Sequence, residues 1–90
     1  MNFEWDEAKA SSNVTKHNVS FQEAATVFGD SLSDTFDDPD HSAEERRFLI
    51  IGTSLQGRML IVAHTDDGET IRIITAREPT RGERKSYEES

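Results

Sequence analysis

One stretch near the end of the chain decides the fold: Ile71-Arg72-Ile73-Ile74-Thr75-Ala76-Arg77. Its apolar residues are mostly β-branched, which is typical of a strand, and arginines stand inside it and at its end. A proline turn and a charged segment containing Arg81, Arg84 and Tyr87 follow. Several guanidinium groups and a phenol at one end of a sheet are suited to binding a phosphodiester, although any one of these arginines alone is more simply a solvated strand end.

Three further strands are predicted before this one, at residues 32–36, 47–52 and 58–65. Asp66-Asp67-Gly68 contains the Asp-Gly pair that is typical of a tight hairpin, and residues 53–57 form a polar turn. Short connections of this kind join antiparallel neighbours, so the last three strands are predicted to form a meander. Their centres are apolar on both faces, so each side of the sheet needs cover from helices.

The first predicted helix covers about residues 6–17. Asp6 is suited to cap its start, and Asn18 can adopt the left-handed conformation that ends a helix. Ala10, Val14 and His17 fall on one stripe of this helix, with Asn13 at its margin, and Lys9 is expected on the outer face.

Two capping boxes mark the other helices. Ser20 and Glu23 have the serine-to-glutamate spacing that opens a second helix, which Gly29 ends. Thr80 and Glu83 repeat that spacing at the start of a C-terminal helix. We therefore predict an α+β fold in which residues 1–90 form one domain with two N-terminal helices, a four-stranded antiparallel sheet and a C-terminal helix.

Charge is distributed unevenly along the chain, whose net charge is −8. Residues 1–45 contain 2 lysines and 11 acidic residues, a sum of −9, whereas residues 46–90 contain 8 basic and 7 acidic residues, a sum of +1. A negative total argues against general nucleic-acid binding, because nothing steers the whole molecule toward a polyanion. It is compatible with a local basic site in the second half, and the acidic half suits a basic protein partner.

Composition excludes several common classes of protein. The chain has no cysteine, so neither a disulfide framework nor a thiolate zinc site is expected. It lacks the basic start and apolar run of a signal peptide, and any apolar stretch of about 20 residues, so a cytoplasmic protein without membrane contact is expected. The charged loop at residues 37–45 contains hard ligands but no metal-binding spacing, so we expect a solvated loop and neither a metal nor a cofactor.

A specific combination of motifs is spread over the chain. The motifs are Phe3-Glu4-Trp5-Asp6, Lys16-His17, Val19-Ser20-Phe21, the strand at 71–77, and Glu83-Arg84 followed by Tyr87. This combination resembles the BrnT family, whose members are toxins of type II toxin–antitoxin systems, and the resemblance extends from Phe3 to about Glu88. Glu78 and Gly82 depart from the family pattern, in a stretch that is usually more basic.

The resemblance implies a fold similar to the RelE-like ribonuclease toxins and an RNA endonuclease activity that inhibits translation. It also implies neutralisation by a BrnA-like antitoxin that carries a ribbon-helix-helix DNA-binding domain. The protein is then expected to bind RNA directly and to meet DNA only through its antitoxin.

Metal-free RNA cleavage requires a base for the 2′-hydroxyl proton, cations for the charge on the phosphorane, and an acid for the leaving oxygen. Arg72 and Arg77 are predicted to supply the cations. His64 and Tyr87 are the predicted proton carriers, and His64 is expected near Arg72 across the hairpin. Both residues have a structural alternative. His64 is equally compatible with a strand histidine hydrogen-bonded to backbone, and Tyr87 with an aromatic anchor in the core.

Four further basic residues are predicted to bind the substrate: Lys16, His17, Arg81 and Arg84. His17 has a structural alternative, because positive charge is favourable at the C-terminus of a helix. Glu83 is most simply the second half of its capping box. The chain as a whole has an alternative too, a non-catalytic interaction module whose acidic half binds a basic partner.

Overall fold

The computed structural model describes residues 1–39 and 45–89, so residues 40–44 of the predicted charged loop lie outside the described residues. The described residues form an α+β fold, as predicted. In chain order its elements are β1 (Asn2–Glu4), α1 (Glu7–His17), α2 (Phe21–Thr26), a 3-10 turn (Val27–Gly29), β2 (Asp34–Asp37), β3 (Phe48–Thr53), β4 (Met59–Asp66), β5 (Thr70–Arg77) and α3 (Arg81–Glu89).

The strands form one sheet in the order β1-β5-β4-β3-β2. Strands β2 to β5 pair antiparallel with their neighbours in the chain, which confirms the predicted meander. The prediction of a four-stranded, wholly antiparallel sheet is wrong, because β1 is a fifth strand and pairs in parallel with β5. Three residues are too few to show a periodic pattern, and only their pairing with residues 70–72 makes them a strand.

A bulge in β5 decides which way its arginines point. The pairing of β4 with β5 shifts register between Ala63 and His64, so Ile74 is an extra residue on β5. In a regular strand, Arg72 and Arg77 would point to opposite faces because they are five residues apart. With the extra residue, their partners on β4 lie four residues apart, so both arginines point to the same face.

The sheet has two different faces. The core face carries the main cluster of buried side chains, which includes Phe21 and Ala24 of α2 and Leu60, Val62 and Ile73 of the sheet. The opposite face, which we call the α3 face, lies partly beneath α3. None of the described helices is long and apolar enough to cross a membrane.

The predicted caps are found, with one difference. The Asp6 side chain accepts from the backbone N–H of Lys9 at 3.0 Å, and Asn18 ends α1 in the left-handed region at φ 56°. Ser20 caps α2, but the Glu23 side chain does not reach back to it and binds Arg58 instead. The α-helical part of α2 ends at Thr26, and the chain completes its turn as a 3-10 helix ending at Gly29.

The Asn13 carboxamide closes the edge of the sheet. Strand β1 covers only residues 70–72 of β5, so the rest of β5 lies at an edge. Asn13 accepts from the Ala76 N–H at 3.1 Å and donates to the Ala76 and Val19 carbonyl oxygens at 2.8 and 2.9 Å. The side chain therefore satisfies the backbone groups that a neighbouring strand would satisfy. The buried residue of α1 is Asn13, whereas Val14 of the predicted stripe is exposed.

Candidate functional site

The Arg77 guanidinium is held by a carboxylate. Its Nη1 and Nη2 donate to the two oxygens of Glu83 at 2.8 and 3.0 Å, and Nη1 also donates to the Glu78 carbonyl oxygen at 3.2 Å. Both side chains of the pair are 38 % exposed. Hydrogen bonds from Arg77, and from the backbone N–H of Thr80, lower the pKa of Glu83 to about 2, so this carboxylate is charged at neutral pH.

Arg72 lies on the same face as Arg77, nearer the other end of β5. Its Nη1 donates to the Glu4 carboxylate on β1 at 3.0 Å, and both side chains of this pair are about half exposed. Because Thr65 pairs with Arg72 and Ile61 with Arg77, the two arginine Cα atoms are about 13 Å apart. The two predicted cations thus share a face, and each has its own carboxylate.

His64 lies on the opposite side of the sheet from these arginines. It pairs with Phe48 and Ile73, its side chain is on the core face, and the residue is only 2 % exposed. Its ring packs edge-on against Phe28 at a centroid distance of 4.8 Å, and its Nδ1 donates to the Val62 carbonyl oxygen at 3.1 Å. Burial lowers its pKa. The expected approach to Arg72 across the hairpin is not found, because adjacent residues of a strand point to opposite faces.

Tyr87 lies on the sheet-facing side of α3, one turn beyond Glu83. Its hydroxyl donates to the Leu32 carbonyl oxygen at 2.5 Å, and burial together with the charges of Asp30 and Asp34 raises its pKa. Its side chain also borders a groove of about 790 Å³ between α3 and strands β2 to β4, whose walls include Phe36, Leu49, Ile51 and Ile61. The structure thus brings Tyr87 to the same side of the sheet as Arg77, but engages its hydroxyl with backbone.

Lys16 and His17 line a small groove between α1 and the edge of β5. The groove has a volume of about 240 Å³ and is lined also by Lys9, Ser12, Asn13, Ile74 and Thr75. The prediction that Lys9 points away on the outer face of the helix is therefore wrong. Lys9 and Lys16 are seven residues apart, which is two helical turns, so they share a face of α1. Within residues 1–39 and 45–89, neither lysine forms an ion pair.

Arg81 and Arg84 belong to the first turn of α3. Arg81 is exposed and Arg84 half-buried, and neither forms an ion pair with the described part of the chain. They lie beside Glu83 in sequence, so the start of α3 adds two cations next to the Arg77–Glu83 pair.

Arg58 was not predicted as a functional residue, although it is the most highly connected cation in the structure described here. It forms two hydrogen bonds with the buried Glu23 carboxylate, at 3.0 and 2.5 Å, and a third with the Asn18 carbonyl oxygen at 2.9 Å. Ser54 donates to the same carboxylate at 2.7 Å, and Glu78 lies 3.6 Å from Arg58. The Arg58 hydrogen bonds are the main cause of the lowered pKa of Glu23.

The Arg58 cluster ties α1, α2, β4 and the chain after β5 together. Glu23 and Asn18, which accept the hydrogen bonds of the guanidinium, lie 35 and 40 residues from Arg58 in the chain, so no short-range pattern predicts these contacts. By contrast, the sequence does carry a signal for the face that Lys9 and Lys16 share, because residues seven apart in a helix lie on the same face.

The described residues thus define a small α+β protein that presents arginines on one sheet face, flanked by a lysine-bearing helix. The family model for the ribonuclease toxin BrnT of type II toxin–antitoxin systems matches residues 5–83, so the chain belongs to the BrnT family of ribonuclease toxins. The predicted family is confirmed.

A solved structure supports the same fold. The chain is similar to the ribonuclease toxin BrnT of Brucella abortus, with a TM-score of 0.68 and 21 % sequence identity over 90 % of this chain and 99 % of that one. At this identity the likeness establishes the fold. No curated protein sequence matches the chain.

Proposed function

We propose that this chain is a toxin with metal-independent RNA endonuclease activity, which acts in the cytoplasm and inhibits translation. The observation that carries the proposal is that Lys9 and Lys16 of α1 line a groove with Thr75 of β5, and that Thr75 points to the same sheet face as Arg72 and Arg77; we call these five residues the basic trough. In a chain of net charge −8, a polyanion is attracted only where cations concentrate. Membership of a ribonuclease toxin family supports RNA as that polyanion.

Arg77 is the proposed ligand of the scissile phosphate. A guanidinium binds two phosphate oxygens at once and remains charged throughout the reaction, so it can stabilise the charge that develops on the phosphorane. Arg72 is proposed as a second cation on the same face, and His17, Arg81 and Arg84 as contacts to neighbouring parts of the RNA.

Proton transfer is proposed for Tyr87 rather than His64. Tyr87 lies on the same side of the sheet as Arg77, whereas His64 is buried on the other side and is bound to backbone. For Tyr87 to act, its hydroxyl must leave the Leu32 carbonyl oxygen when RNA binds. The burial of His64 supports the alternative of a structural histidine.

Expression of the protein alone tests this proposal. We expect the wild type to arrest growth and to cleave RNA in vitro, and Arg77→Ala to lower the cleavage rate by about 100- to 1,000-fold. Arg77→Ala and Arg72→Ala are both expected to abolish toxicity. Both variants should retain nearly the wild-type melting temperature, because the side chains of both ion pairs are at least 38 % exposed and such surface pairs contribute about 0–1 kcal/mol each.

Arg46→Ala is the matched control. It removes the same charge from an exposed arginine. The partners of that arginine, Asp37 on β2 and Phe48 on β3, lie away from β5, toward the far edge of the sheet. It should leave both toxicity and cleavage unchanged. An Arg77→Ala protein that folds normally and remains fully toxic would contradict the proposed site.

The alternative of a non-catalytic interaction module is favoured by one observation, namely that both sheet-face arginines are already paired with carboxylates. The two functions give different results in the same experiment. If the chain is an interaction module, cells that express it alone continue to grow, and the purified protein does not cleave RNA.

The proposed partner is a BrnA-like antitoxin with a ribbon-helix-helix domain, which covers the basic end of the sheet and becomes ordered on binding. Co-expression with the adjacent open reading frame should give a stable complex and restore growth. Failure of that product both to bind the toxin and to restore growth would contradict the proposed partner.

A further inference from the structure

We propose that the Glu83 carboxylate occupies the position on Arg77 that an RNA phosphate takes, so that Glu83 acts as an internal competitor and sets the phosphate affinity of the site. This inference rests on the proposed function, because it concerns the regulation of the same site. It assigns to Glu83 a role beyond capping the helix.

The geometry of the pair carries the proposal. Arg77 presents Nη1 and Nη2 side by side, and the two Glu83 oxygens accept from them at 2.8 and 3.0 Å. A phosphate binds a guanidinium through the same pair of N–H groups, so the two anions exclude each other there. The side chains of Arg77 and Glu83 are each 38 % exposed, so an incoming phosphate can reach the pair from solvent.

Glu83 is held in this position by a second set of contacts. Its Oε1 also accepts from the Thr80 backbone N–H at 2.8 Å, and its own N–H donates to Thr80 Oγ1 at 3.2 Å. This complete capping box fixes the first turn of α3 and with it the direction of the carboxylate. Acidification to pH 5 does not release Arg77, because the pKa of Glu83 lies near 2.

The substitution Glu83→Gln separates the two roles of this residue. Glutamine is the other residue that completes a capping box, so the start of α3 is retained, while the negative charge on Arg77 is removed. We expect this variant to bind a 5′-fluorescein-labelled single-stranded RNA about 2- to 10-fold more tightly than the wild type, as measured by fluorescence anisotropy at constant salt. Circular dichroism should show unchanged helix content.

Two further variants make the result specific. Glu88→Gln removes the same charge from an exposed site on the same helix and should change the RNA affinity much less. In an Arg77→Ala background, Glu83→Gln should change the RNA affinity no more than Glu88→Gln does, because the group for which the carboxylate competes is absent. A purely structural role of Glu83 does not predict this dependence on Arg77.

The possible failures are distinct. If the wild type binds RNA through Arg77 and the Glu83→Gln variant binds it no more tightly, Glu83 does not compete with phosphate, and the proposed function stands. If Glu83→Gln binds RNA normally but cleaves it more slowly, Glu83 acts in the reaction, which also overturns the inference. If neither protein binds RNA, the proposed function fails and the inference with it.

Discussion

At the scale of single residues, burial decides what an ionisable side chain can do. His64 and His17 have the same chemistry, but His64 is enclosed by Phe28 and Phe48 whereas His17 is exposed at the end of α1. Burial disfavours the charged imidazolium, so the pKa of His64 is lowered, although the Val62 carbonyl oxygen and the charge of Asp66 act in the opposite direction.

The lowered pKa of His64 has a consequence for stability. An unfolded histidine titrates at about pH 6.5, so below that pH the unfolded chain binds a proton that the folded chain does not yet bind. The free energy of unfolding should therefore fall as the pH is lowered from about 7.5 to 5.5, and His64→Gln should remove this part of the fall. Urea unfolding of both proteins at several pH values measures it, and parallel pH curves for the two would contradict the prediction.

At the scale of elements, α1 and β5 depend on each other through one carboxamide. Asn13→Ala leaves the buried N–H and C=O of Ala76 without a partner and should lower the free energy of unfolding by about 1–3 kcal/mol. Asn13→Asp should also destabilise, because a carboxylate accepts from the N–H but cannot donate to the two carbonyl oxygens.

Ser12→Ala is the matched control for this position. Ser12 is the neighbouring residue on α1 and is exposed, so its replacement should change the free energy of unfolding by less than about 0.5 kcal/mol. Chemical denaturation measures all three variants. An Asn13→Ala protein as stable as Ser12→Ala would show that the edge of β5 does not need this closure.

At the scale of the whole molecule, the net charge of −8 makes RNA binding a local property. The affinity for a single strand should fall with increasing salt, with a log–log slope of about −0.7 for each phosphate contacted. Lys16→Ala, in the basic trough, should reduce the magnitude of that slope by about 0.7. Arg46→Ala, outside the trough, should leave the slope unchanged. Equal slopes for the wild type and Lys16→Ala would mean that α1 does not contact the RNA backbone.

Much of the fold was readable from local patterns. The Asp6 and Thr80 caps, the left-handed stop at Asn18, the Asp-Gly hairpin and the predicted strand at 71–76 all depend on interactions between residues close together in the chain. Such interactions leave a signature at fixed spacing. The strand β1 left none, since β5, with which it pairs, is about 68 residues away.

The candidate site was readable only as a set of residue types. The sequence by itself determined that cations concentrate in the second half of the chain and which family pattern they follow. The tertiary structure decided that a bulge at Ile74 puts Arg72 and Arg77 on one face, that His64 points to the other, and that Glu83 holds Arg77. The physical reason is that strand register and side-chain pairing depend on contacts between distant segments, for which the alternation along any one segment carries no information.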